Sequence, residues 1–88
     1  MEPVKIPIED VIDLHTFQPK DIPDLLHDYF AACIEADIFS VRVIHGKGTG
    51  SLRDRVHAVL RKNPMVASFK GAPPEAGGWG ATLVELKQ

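Results

Sequence analysis

Phe39-Ser40-Val41-Arg42-Val43-Ile44-His45-Gly46-Lys47-Gly48-Thr49-Gly50-Ser51-Leu52 passes from β-type residues, through a glycine-rich turn, into a helix pattern. A strand that hands over to a helix across such a turn is the mark of an α/β unit. The turn exposes several backbone N–H groups and aims the positive end of the helix dipole the same way. That combination favours an anion, most often a phosphate. Gly46, Gly48 and Gly50 permit positive φ and close approach, and Lys47 adds a mobile cation. The spacing is neither the dinucleotide fingerprint nor a Walker loop, because no third glycine and no Gly-Lys-Ser/Thr falls where those motifs need it. A glycine turn of this kind is either structural or an anion cradle. His45 at its mouth adds an acid–base group to the second reading.

Outward from the turn, the pattern extends in both directions. Val11-Ile12-Asp13-Leu14-His15 reads as a first strand, followed by a Thr-Phe-Gln-Pro turn. From Pro19 to about Asp37, Ile22, Leu25, Leu26, Tyr29, Phe30, Cys33 and Ile34 recur at steps of three and four, which predicts an amphipathic helix. Pro23 fits its first turn, and Cys33 falls on the apolar stripe as a core residue. The second strand spans Val41 to Ile44. The second helix runs from Leu52 to about Lys62, with Ser51 as its N-cap, Asp54 in its first turn and Asn63-Pro64 as its stop. Met65–Phe69 forms a third strand, Gly71 to Gly80 a loop, and Ala81–Leu86 a fourth strand. The order β-α-β-α-β-β makes the first three strands parallel and returns the last antiparallel. Right-handed crossovers put both helices on one face of a four-stranded mixed sheet, an α/β two-layer sandwich.

Eighty-eight residues, 44% hydrophobic and 25% charged, make one small domain, with a core at about residues 11–87. No apolar run approaches the roughly 20 residues that span a bilayer, so no membrane partner is expected. One cysteine and an N-terminus without a secretion-type pattern suit a reducing cytoplasm. The net charge of −2 hides a division: residues 1–37 carry nine acids and two bases, residues 42–70 seven bases and one acid. The basic block contains the glycine turn and the helix behind it. It is either a solvated helix face or a surface for a polyanion such as nucleic acid.

Parallel neighbours β1 and β2 would end at one edge of the sheet, where ligands of open α/β sheets bind. His15 and His45 close those strands, and the glycine turn starts there. Asp13 shares a strand face with His15. The two imidazoles, the carboxylate and the anion cradle are therefore expected to converge. Asp13 either orients His15, binds a divalent ion, or caps turn amides. His27 and His57 read as surface residues. Trp79, in Gly77-Gly78-Trp79-Gly80, either stacks on a nucleobase or folds back over the sheet.

Taken together, Asp13-Leu14-His15, His45 through Arg53, Asn63-Pro64, Phe69, Ala72-Pro73 and Gly77 through Thr82 resemble the small MutS-related (Smr) domain. The resemblance runs from about Ile12 to Leu86. It implies a β-α-β-α-β-β fold similar to the C-terminal domain of translation initiation factor three, and nucleic-acid binding. In many members it also implies endonuclease activity on branched or double-stranded DNA, or on RNA, including messenger RNA on stalled ribosomes. The functional positions it carries over are Asp13, Leu14, His15, His45, Gly46, Gly48 and Gly50. The family usually places glycine after Asp-Leu-His, where this chain has Thr16.

The expected chemistry is phosphodiester cleavage. His15 acts as base or acid with Asp13 orienting it, and His45 is the opposite partner or a phosphate donor. The cradle amides and Lys47 stabilise transition-state charge. Arg53, Arg55 and Trp79 complete the nucleic-acid surface. With RNA the ribose 2′-hydroxyl is the nucleophile and no metal is needed. With DNA, water attacks, and Mg²⁺ or Mn²⁺ on Asp13 becomes attractive. The alternative is a module that binds structured nucleic acid or a ribosome without cutting. A small-molecule phosphate binder fits less well, since no second domain encloses the turn. A monomer is expected. His45→Ala is expected to spare stability while reducing activity or binding.

Overall fold

A computed structural model describes residues 9–46, 50–76 and 78–88, apart from the side chains of Ala76 and Trp79. Six main elements follow in chain order: β1 (Val11–Asp13), α1 (Ile22–Glu35), β2 (Ser40–Ile44), α2 (Ser51–Lys62), β3 (Val66–Gly71) and β4 (Ala81–Leu86). The sheet order is β1-β2-β4-β3. β1 and β2 are parallel, and β4 lies antiparallel to both β2 and β3. Strands β1, β2 and β3 thus run the same way, and the last strand inserts between the second and third.

Alternation along the strands separates two sheet faces. Val41 and Val43 pair with Val84 and Thr82, and all four are buried. Leu14, Ile22, Leu26, Phe30 and Cys33 join them from β1's end and α1, and Val56 and Leu60 from α2. Both helices therefore cover one face, as the crossover rule requires. Arg42, Ile44 and Leu83 occupy the other face and are half-buried.

The ends of the elements are set by local chemistry. β1 stops two residues short of the expected His15 because Asp13 Oδ1 captures the His15 amide at 3.0 Å. Such a side-chain bond to the following backbone competes with the sheet ladder. α1 stops at Glu35, and the chain leaves it through Asp37 at φ 61. The Ile38 amide returns to the Cys33 carbonyl at 2.8 Å and the Asp37 amide to Ile34 at 3.1 Å, a Schellman closure. Gly50, at φ 86, occupies the N-cap of α2, and Ser51 is the first helical residue instead of the expected cap. The Asp54 amide donates to the Gly50 carbonyl at 2.9 Å. Asn63 is extended ahead of Pro64, and its Oδ1 accepts the Met65 amide at 2.9 Å. β3 extends to Gly71, and a register shift between Val66 and Ser68 bulges the strand. Val66 pairs with Leu86 and Phe69 with Val84, so both pack on the core although they are three apart.

Candidate active site at the strand ends

β1 and β2 end side by side. The Leu14 amide still donates to the Ile44 carbonyl at 2.8 Å, and the Leu14 side chain is fully buried. That anchor leaves Asp13 and His15 pointing outward. His15 Nδ1 meets Asp13 Oδ1 at 2.5 Å, with side chains 66% and 45% exposed. The same carboxylate oxygen therefore receives the His15 backbone N–H and its ring N–H. The backbone bond, then the side-chain bond, and last the charge of the ring hold the Asp13 carboxyl below its ordinary 3.8, against a small effect of burial. The carboxylate fixes the ring's tautomer and leaves Nε2 exposed for proton transfer.

Thr16 disturbs none of this. Asp37 is the one non-glycine at positive φ among the described residues, so the turn after His15 uses ordinary backbone angles. The Phe17 amide donates to the Leu14 carbonyl at 3.0 Å and closes the turn. Phe17 itself is 43% exposed, the one large hydrophobic residue so exposed among those described. Its sequence signal is an aromatic two positions past the histidine, but turn residues carry no periodicity to mark it.

His45 departs from expectation. It is only 3% exposed, on the helix-covered side of the sheet. Its Nδ1 lies 3.1 Å from the Gly46 carbonyl oxygen and its Nε2 2.9 Å from Thr82 Oγ1. His57 Nε2 lies 2.8 Å from the same hydroxyl. Among the described residues, no hydrogen bond or ring contact joins His15 to His45. The two strand ends do share an edge, but the expected meeting of the two imidazoles does not occur, because Asp13 pairs with Ile44 on the open face and His45 follows Val43 on the covered one. His57, expected at the surface, is a part-buried member of a polar chain. It packs edge-on against Phe69 at 5.0 Å, with the Arg61 guanidinium 6.0 Å from the same ring. Burial first, then the charges of Arg53, His45 and Arg61, lower its pKa from 6.5, with Asp54 opposing weakly.

The glycine turn is described at its ends. The amides of His45 and Gly46 both donate to the Gly80 carbonyl, at 2.9 and 3.0 Å, tying the glycine turn to the end of the loop before β4. Gly46 sits at φ 82 and Gly50 at φ 86, which favours glycine at both. Lys47, Gly48, Thr49 and the side chain of Trp79 lie outside the described residues, as does Gly77. The two arginines behind the turn separate. Arg53 borders a cavity of about 250 Å³ with Gly71, Ala72, Pro74, Gly78 and Ala81, beside the glycine segments. Arg55 lines a different groove with Lys62 of α2 and Lys20 of the N-terminal half. Among the described residues, no cluster of three His, Cys, Asp or Glu forms that would hold a metal ion. Asp13 Oδ1 already accepts two hydrogen bonds from His15. Among the described residues, no helix is long and apolar enough to cross a membrane.

A two-layer α/β domain with Asp-Leu-His closing one strand and His-Gly closing its parallel neighbour is the architecture of a known family. Residues 12–87 match the model of the Smr domain, and the chain belongs to that family. It is 41% identical over 80 residues to Endonuclease MutS2 of Thermomicrobium roseum and 38% identical to that of Halothermothrix orenii. Each match covers 91% of this chain and 10% of the relative, so the chain spans about a tenth of those proteins. The Smr domain of Thermus thermophilus MutS2 superposes with a TM-score of 0.82 at 32% identity, over 89% of this chain and 98% of that one. YdaL, a stand-alone small MutS-related protein from Escherichia coli, gives the same TM-score at 23% identity, over 96% and 69%, which speaks to the fold alone.

Proposed function

We propose that this chain is a nucleic-acid-binding Smr module that cleaves RNA by metal-free transesterification, with His15 as its base and Asp13 orienting it. The observation that carries the reading is the exposed Asp13–His15 contact at the carboxyl edge of the sheet. There, one oriented imidazole presents Nε2 to solvent beside the entry of the glycine turn. In the proposed step His15 Nε2 takes the proton of a ribose 2′-hydroxyl. The 2′-oxygen bonds to phosphorus, the bond to the 5′-oxygen breaks, and the leaving oxygen is protonated from solvent. The products are a 2′,3′-cyclic phosphate and a 5′-hydroxyl. The amides of the glycine turn past Gly46, the N-terminus of α2, Lys47 and Arg53 hold the phosphate, and Phe17 and Trp79 offer faces for flanking bases. The kinship with proteins named Endonuclease MutS2 agrees with this reading.

A second reading, a monomeric cytoplasmic module that binds structured nucleic acid or a ribosome without cutting, has one observation in its favour. Burial of His45 leaves one histidine, not two, exposed at the strand ends. Labelled RNA, all-deoxy branched DNA and RNA with a single 2′-deoxyribose 5′ to the cut separate the readings. Cleavage that survives excess chelator, leaves a cyclic phosphate, and disappears in Asp13→Asn and His15→Ala with binding retained is the expected result. Chelator-sensitive nicking of deoxy substrates refutes the mechanism, and tight binding without any cutting establishes the second reading.

A further inference from the structure

Thr82 has one hydroxyl proton, and two imidazoles lie against it. His45 Nε2 is 2.9 Å and His57 Nε2 2.8 Å from Oγ1. A third contact decides who donates. His45 Nδ1 faces the Gly46 carbonyl oxygen at 3.1 Å, and a carbonyl oxygen only accepts, so Nδ1 carries a hydrogen. In its neutral form the ring then has a bare Nε2, which accepts the Thr82 hydroxyl proton. With that proton committed, Oγ1 can only accept from His57, whose Nε2 must donate. Burial beside Arg53 and His45 favours the neutral ring at His57, which makes it the Nε2–H tautomer. Donation thus runs in one direction, from His57 through Thr82 and His45 to the peptide of Gly46. Gly46 is the residue at φ 82 whose own amide is held by Gly80.

We propose that Thr82 and His57 are positioning residues that lock His45 in its Nδ1–H tautomer and thereby hold Gly46 in the conformation that opens the glycine turn. The consequence for binding rests on the proposed reading of that turn as the phosphate site. The lock itself is a matter of proton positions. If His57 presented a bare Nε2, the hydroxyl would turn to it, and His45 would adopt the opposite tautomer and release the Gly46 carbonyl. His57 on α2 and Thr82 on β4 therefore set the state of a residue on β2's end that lies next to neither in sequence.

The test uses the whole chain, checked as folded by circular dichroism at the assay temperature. Ring-nitrogen NMR shifts report each histidine's tautomer, and affinity for a labelled single-stranded RNA reports the turn. The expected wild-type pattern is Nδ1–H at His45 and Nε2–H at His57. Thr82→Val should mix the His45 tautomers and weaken RNA binding about three- to tenfold, the range of one missing hydrogen bond. Thr82→Ser should restore both readouts, and His57→Leu should loosen the His45 tautomer with Thr82 intact. An Nε2–H ring at His45 in the wild type, or a Thr82→Val ring pattern and affinity unchanged from wild type, overturns the lock. The expected ring pattern in a wild-type chain that binds no RNA supports the lock and rejects the phosphate reading instead.

Discussion

Replacing His45 by alanine separates the buried residue the fold builds from the exposed catalyst its motif suggests. The imidazole is 3% exposed, and its two ring nitrogens are engaged by Gly46 and Thr82. Truncation removes both hydrogen bonds, leaves the Thr82 hydroxyl proton without its acceptor, and opens a cavity under the sheet edge. Each hydrogen bond is worth about 0.5–1.5 kcal/mol, and the stranded hydroxyl and cavity bring the total to roughly 2–4 kcal/mol. For a domain of this size, about 4–8 °C per kcal/mol makes that a drop in Tm on the order of 10 °C or more. Thermal and urea unfolding of His45→Ala beside His15→Ala is the assay. The exposed His15 should be replaceable with Tm nearly unchanged, while His45→Ala should lose Tm and, in its folded fraction, also lose RNA affinity, because the Gly46 carbonyl is released. A His45→Ala protein that melts within about 2 °C of wild type would refute this reasoning and return His45 to the exposed chemistry its motif implies.

Three further outcomes are expected. Leu26→Ala, at a fully buried position of α1, should cost roughly 2–5 kcal/mol in urea unfolding; a value near zero would contradict the packing. His57 has a folded pKa below 6.5, through burial and the charges of Arg53, His45 and Arg61, with Asp54 opposing. The unfolded chain therefore binds the proton more readily, and this part of the stability is present above pH 6.5 and lost as pH falls below it; unfolding across that window in wild type and in His57→Gln, where the slope should flatten, checks the sign. Neutralising Lys47, Arg53 and Arg55 together should weaken RNA binding and flatten its salt dependence, by about one unit of log–log slope for each phosphate no longer neutralised. Arg55 lines the α1–α2 groove away from Arg53, so the two single variants reveal which surface the nucleic acid follows.

The elements themselves were legible from one sequence because each announces itself by local periodicity. The three-and-four spacing from Ile22 to Ile34 is α1, and Cys33 falls in the core where its place on that stripe puts it. Pro23 in the first turn of α1 and Asn63-Pro64 after α2 act through backbone angles that neighbours alone impose. The closeness of Asp13 and His15 was also readable from their spacing of two, although its cause is a local turn past the end of β1, in which Asp13 Oδ1 takes both the amide and the ring of His15. The shared edge of β1 and β2 followed from the βαβ order, and the glycines at φ 82 and φ 86 lie where the turn demanded them.

What the tertiary structure decided is which side of that edge each ring occupies and what it touches. A strand position alternates between two faces, but nothing local says which face the helices will cover. That depends on the register of Asp13 against Ile44 and of Val43 against Thr82, residues far apart in the chain. Once Val43 is buried, His45 goes under the sheet edge with it, and Asp13 and His15 are left outside. The partnership of His45 and His57 through Thr82 is equally non-local, because β4 enters between β2 and β3 only when the last strand closes the sheet. Short-range sterics and hydrophobic spacing thus write the elements and the exposed pair into the sequence, whereas long-range pairing decides which histidine meets solvent and which holds the turn.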